Sequence, residues 1–266
     1  MCYNLKMVRR LSNIERYESM YRGFSLKISY NDIEHLIDYR QNFSHSQAIR
    51  DVLRKNIVAS YSIDVDKLKS DWFPMIKSDI FLSHSHKDIE LAKKISHILG
   101  RLNLDTFIDS EVWGYSDDLV KLIEKQYYYY TDSIVHDKIV AHVNIMLTSA
   151  LTKMLNNTEC VIFLNTPNSI IPTEYSNANK TDSPWIYHEL FTTSILPVYA
   201  PIRKGYDRPS SVVNESRQDE ILYTPPLDHL TDLNSSDFQS WINTSKSSRY
   251  NPLDVLYSLK PIKLRR

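Results

Sequence analysis

Residues 79–88 read Asp-Ile-Phe-Leu-Ser-His-Ser-His-Lys-Asp, a short apolar run that turns polar within one residue. The first half has the length and composition of a buried strand, and a helical pattern begins at Ile89, with Leu91, Ala92, Ile95, Ile98 and Leu99 in helical register. A strand that ends in Ser, His, Lys and Asp and runs straight into a helix places hydrogen-bonding side chains at the carboxyl edge of a sheet. In open α/β sheets that edge is where ligands bind.

Downstream of this stretch the alternation of strand and helix continues. Strands are expected at 79–83, 105–108, 160–164, 195–200 and 220–223, and helices at 89–102, 117–128, 140–155, 184–192, 237–242 and 252–259. Strands alternating with helices predict a parallel sheet with helices on both faces. The helix at 184 has Ser183 as its expected cap and Pro184 in its first turn. Gly100 marks the expected end of the first helix. Upstream, residues 1–72 read as a helical extension, with one apolar face at Ile33, Leu36 and Ile37 and another at Ala48, Ile49, Val52 and Leu53. Residues 64–74 read as a linker whose Trp72 and Phe73 pack that extension onto the domain beginning at 73. The tract Tyr127–Tyr130 reads as a helix end and contact surface.

Composition narrows the possible functions. The chain has 266 residues, with 32 basic and 32 acidic side chains, so no polyanion partner is indicated and no nucleic-acid contact is expected. The basic residues near both ends read as solvated tails. The two cysteines, Cys2 and Cys160, allow neither a disulfide framework nor a cysteine-based metal site, and Cys160 reads as a buried reduced thiol. His84 and His86 flank Ser85 without further ligands at a recognised spacing, so zinc is set aside. With no apolar leader and no membrane-length run, a cytoplasmic protein is expected. The four glycines, Gly23, Gly100, Gly114 and Gly205, fit neither a dinucleotide fingerprint nor a P-loop, so a bound nucleotide would have to be held by other means.

The segment Ser183-Pro-Trp-Ile-Tyr-His-Glu-Leu190 brings a carboxylate to the same edge. Trp185 and Glu189 lie four residues apart on one helix face. Since this helix follows the third expected strand, Ser83, His84, Lys87, Asp109, Trp113, Trp185 and Glu189 are expected to line one crevice. Read alone, Glu189 is better explained as a helix-dipole residue, and Trp185 is equally suited to the core.

Three segments together resemble the Toll/interleukin-1 receptor (TIR) domain family, in particular its bacterial members: 79–88 its first box, 104–109 with Trp113 and Gly114 its second strand and following loop, and 183–190 its Ser-x-Trp-Cys-x-x-Glu-Leu segment. The resemblance spans about half the chain, and Ile186 stands where the family has cysteine. Residues 127–141 lengthen the second helical region, and 165–183 form a long polar loop ahead of Glu189. The resemblance implies a flavodoxin-like parallel sheet of about five strands. It also implies an enzyme that splits the nicotinamide–ribose bond of NAD as substrate, with Glu189 as the catalytic residue, Ser83, His84, Lys87, Asp109, Trp113 and Trp185 as substrate contacts, and no metal or separate cofactor. Glycohydrolase, cyclase and transferase products remain open, as do homo-oligomers through TIR–TIR contacts, a downstream effector and a phage-derived trigger in antiviral defence. Two alternatives stand beside this reading: a non-enzymatic adaptor working through homotypic contacts, and a deoxyribosyltransferase on the same kind of sheet. A receiver domain is disfavoured because the third strand ends Leu164-Asn165-Thr166, without a phosphate-accepting aspartate.

Overall fold

In a computed structural model, described here for residues 21–36, 65–113, 116–126, 133–172, 179–199, 201 and 223–261, five parallel strands form the sheet. They are β1 (Arg22–Lys27), β2 (Ile80–Ser83), β3 (Thr106–Phe107), β4 (Cys160–Leu164) and β7 (Thr231–Asn234), in spatial order β3-β2-β4-β1-β7. Two further short strands, β5 (Ile171–Pro172) and β6 (Asn179–Lys180), pair antiparallel outside it. The helices are α1 (Tyr30–Ile33), α2 (Val65–Trp72), α3 (Ile89–Gly100), α4 (Asp109–Val112), α5 (Ser116–Gln126), α6 (Ser133–Asn156), α7 (Pro184–Ile195), α8 (Ser235–Ser247) and α9 (Pro252–Leu259).

The central strands β2 and β4 are short and apolar because both sheet faces are covered there. In β4, Cys160, Ile162 and Leu164 point into a core built with α3, α8 and α9. Val161 points the other way, into a core built with α5 and α6, and Phe163 into a smaller cluster with Ile186 and Leu190 of α7. The 3.6-residue periodicity of α3 buries Leu91, Ala92, Ile95, Ile98 and Leu99, as the sequence predicts. The chain leaves α3 at Gly100 and turns at Asn103, whose φ of 58° is left-handed.

The N-terminal region corrects the sequence reading. Residues 22–27 are a strand, not part of a helical extension, and that strand lies between β4 and β7. Flavodoxin-like sheets run 2-1-3-4-5. Counted from residue 78, the first three places are filled in that order by β3, β2 and β4, but the fourth belongs to β1.

Of the expected strand at 195–200, the described residues 195–199 form no strand. Helix α7 continues to Ile195, and Ile195 and Tyr199 are both more than half exposed. Pro197 explains the exclusion, since an internal strand needs every N–H for its ladder. By contrast, Phe24 and Leu26 of β1 are fully buried, and the Arg22 guanidinium lies over the Phe24 and Tyr257 rings while donating to Thr231 Oγ1 at 3.0 Å. Gly23 leaves room for Leu230, whose Cδ2 would be 2.4 Å from a Cβ placed there.

Other expectations shift less. The linker at 64–74 contains α2, and Trp72 and Phe73 are buried in the same core as Trp113. Residues 133–141 of the lengthened region form the first turns of α6. Of the expected strand at 220–223, Tyr223 makes one antiparallel bridge to Thr181, and the sheet's last strand is β7 instead. The expected helix at 47–56 and the tract 127–130 lie outside the described residues.

Candidate active site

The register of the sheet assembles the site. Ile80 pairs with Thr106 and Phe81 with Phe107. Two residues beyond this pairing, Ser83 ends β2 on the face that carries Phe81, and Asp109, past the end of β3 and the extended Ile108, opens α4. Ser83 also pairs with Phe163 of β4, which packs on Ile186 and Leu190 of α7. This packing holds α7 over the row, and its Glu189 comes down onto Ser83.

Helix α7 starts where the sequence places it. The Ser183 hydroxyl accepts from the Ile186 N–H at 3.3 Å, and Pro184 occupies the first turn, where no N–H is needed. One turn on, Ser83 Oγ donates to Glu189 Oε2 at 2.5 Å. Glu189 is 4% exposed and Ser83 2%. Burial and the negative charge of Asp109 push the Glu189 carboxyl well above its ordinary range, and the Ser83 hydrogen bond opposes them. The net effect favours the protonated acid at position 189.

His84 braces the Asp109 side of the site. Its Nδ1 is 3.2 Å from Leu82 O, and since a carbonyl only accepts, Nδ1 carries the proton. Nε2 is then free to accept from Ser110 Oγ at 3.1 Å. Asp109 Oδ1 lies 3.9 Å from Nδ1, with its side chain 28% exposed. Asp109 is thus the open side of a cluster whose other members are covered.

The remaining expected site residues are placed differently. Trp113 is a core residue: it is 2% exposed, its Nε1–H donates to Pro74 O at 3.1 Å, and its ring makes edge contacts with Phe73 and Phe107. It offers no face to a ligand, which corrects its expected role. Trp185 is half-buried against the α5–α6 core. Lys87 is exposed on the single 3-10 turn His86–Asp88 after β2.

Several residues unassigned by sequence shape the edge. Asp88, buried, accepts from Thr166 Oγ1 at 2.5 Å and from Asn168 Nδ2 at 2.7 Å, tying the loop after β2 to the loop after β4. Asn165 Nδ2 donates to Ser25 Oγ at 3.0 Å, linking that loop to β1. The only sequence signal for this latch is the acid that ends the 79–88 run. An open groove along α6, lined by Asn144, Ile145, Thr148, Ser149 and Thr152, contains none of the cluster.

Among the described residues, no group of three or more His, Cys, Asp or Glu could hold a metal ion, and no helix is long and apolar enough to cross a membrane. Comparison with known proteins returns no match among family models, curated proteins or solved structures.

Proposed function

We propose that this chain cleaves the N-glycosidic bond between nicotinamide and ribose in NAD, in the manner of the TIR enzymes that its motifs resemble. The observation that carries the reading is the buried Glu189 carboxyl, held on Ser83 beside Asp109 at the carboxyl edge of the sheet. Breaking the nicotinamide–ribose bond develops positive charge on the ribose, while nicotinamide leaves as a neutral ring. Carboxyl groups at this position hold the ribose hydroxyls, and the Asp109 charge stabilises the cation. The product is ADP-ribose or a cyclic or conjugated derivative, and the biological setting implied by the resemblance is antiviral defence with assembly into oligomers.

A homotypic interaction module is the second reading. It draws on the exposed apolar side chains of Ile145, Ile195 and Tyr199 along α6 and the end of α7, which suit a contact surface. Nicotinamide release from NAD by concentrated protein separates the two. Wild-type protein releases nicotinamide and Glu189→Ala loses at least ~100-fold of that rate. Folded but inert wild-type protein, assayed both alone and with phage lysate, would refute the enzyme reading; equal rates in both proteins would remove Glu189 from it.

A further inference from the structure

Two carboxyl groups at one site, in unlike surroundings, divide acid and base roles between them. Glu189 is covered, bonded to a hydroxyl and crowded by a neighbouring negative charge. Asp109 stands on the open side with its side chain 28% exposed, and the His84 ring behind it is held by Leu82 O and Ser110. Among the described residues, the charge that acts on Glu189 is that of Asp109 from α4, and His84, just after β2, has its Nδ1 3.9 Å from Asp109 Oδ1. From α6, Thr152 pairs with His188 instead, at 3.1 Å. NAD needs only the charge-bearing member of such a pair, because its leaving group departs neutral without a proton. The proton on Glu189, as distinct from its hydrogen bonds to ribose, is superfluous for that bond. It suits N-glycosides whose base would otherwise leave as an anion.

We infer that the site also hydrolyses purine nucleosides or nucleotides, with Glu189 protonating the departing base and Asp109 bearing the charge that meets the ribosyl cation. This rests on the N-glycosidase reading above and extends its substrate class. The C1′–N bond breaks with its electron pair passing to the base nitrogen, and the Glu189 proton neutralises the base. Water adds its oxygen to C1′ and returns a proton to the Glu189 carboxylate. Free base leaves with ribose from a nucleoside or ribose phosphate from a nucleotide, with nothing oxidised or reduced. Substrate approaches from the Asp109 side, where the carboxyl is 28% exposed, and its ribose hydroxyls take over the Ser83 hydrogen bond.

The test incubates full-length protein with adenosine, inosine and NAD separately from pH 4.5 to 8.5 and quantifies released base by chromatography. Glu189→Gln and Asp109→Asn are assayed beside it, and circular dichroism confirms their fold. Wild-type protein is expected to release adenine and hypoxanthine at rates that fall as pH rises. Glu189→Gln, which keeps hydrogen bonds to ribose but carries no acidic proton, loses ~100-fold or more on the nucleosides and far less on NAD. Asp109→Asn slows all three substrates and moves the nucleoside profile toward lower pH, because the charge that keeps the proton on Glu189 is gone. NAD cleavage without nucleoside cleavage, or nucleoside rates unaffected by Glu189→Gln, overturns this inference and leaves the proposed function standing. Inertness of the folded protein toward all three, both alone and with phage lysate, overturns both.

Discussion

At the scale of the residue, Glu189 governs how the protein answers pH. Its folded-state acidity is weakened by burial and by Asp109, so the folded chain holds this proton where the unfolded chain has released it. Stability therefore declines as pH climbs above the ordinary glutamate value of 4.5, and the decline ends once the folded-state carboxyl also ionises. Glu189→Gln removes this slope and is expected to melt higher than wild type at pH 8, with little difference at pH 4. Ser83→Ala acts in the opposite sense: it deletes a hydrogen bond to the buried carboxyl and costs ~1–3 kcal/mol. Because that bond favours the ionised form, its loss also extends the slope to higher pH. Thermal melts of wild type and both variants between pH 4 and 8 check this, and parallel curves for all three would show that Glu189 exchanges no proton across the range. Position 189 was singled out by the resemblance of 183–190 to the TIR segment, and its spacing from Trp185 placed both on one helix face. The upward push on its carboxyl was not legible in the sequence, because the burial and the Asp109 charge that cause it arise only in the fold. Trp113 misled for a related reason: an aromatic beside a loop looks available until the packing of Phe73 and Phe107 is known.

At the scale of the element, α7 is clamped from outside by a histidine that opposes Glu189 in its pH dependence. Thr193 Oγ1 donates to Leu190 O at 2.9 Å, so the 2.9 Å contact with His229 Nε2 has the ring donating. Nδ1 is left as the unprotonated nitrogen, buried with no partner. Burial pulls the His229 imidazole down to about 4. A histidine kept neutral in this way contributes stability that is complete above its ordinary value of 6.5 and is lost as pH falls toward about 4. His229→Gln retains a donor for Thr193 and cannot charge, so it is expected to flatten the acid limb of the stability profile between those limits. An unchanged acid limb would show that the ring is already accessible to water. The sequence located α7's start correctly through its cap, yet ended it at 192 and followed it with a strand. Ile195-Leu-Pro-Val-Tyr199 has the composition of a strand, but Pro197 denies it a place inside a sheet.

At the scale of the whole molecule, the sheet is closed by a strand from the wrong end of the chain. The division at 72/73 follows motif content, because every site motif lies after it, but the fold ignores that boundary. Arg22-Gly-Phe-Ser-Leu-Lys27 offers only alternate apolar residues, and the sequence reading places it within a helical extension. The missing information is long-range: Ser25 is buried beneath Asn165, Gly23 beneath Leu230, and Arg22 is satisfied by Thr231 and the Tyr257 ring. None of these partners is a sequence neighbour. A fragment containing only 73–266 would retain all the candidate site residues yet leave β4 and β7 without the strand between them. It would also uncover the core face on which α8 and α9 pack. Such a fragment is expected to be insoluble or to bind hydrophobic dyes as a partly folded species, whereas the intact chain melts cooperatively. The milder version of the same experiment is Leu26→Ala in the full chain, which leaves a cavity at the centre of the sheet and should cost ~2–5 kcal/mol. Denaturant titration measures both. A soluble, cooperatively unfolding 73–266 fragment with near-native stability would show that the fourth place in the sheet does not need β1, and 195–200 would then be the first segment to examine as its replacement.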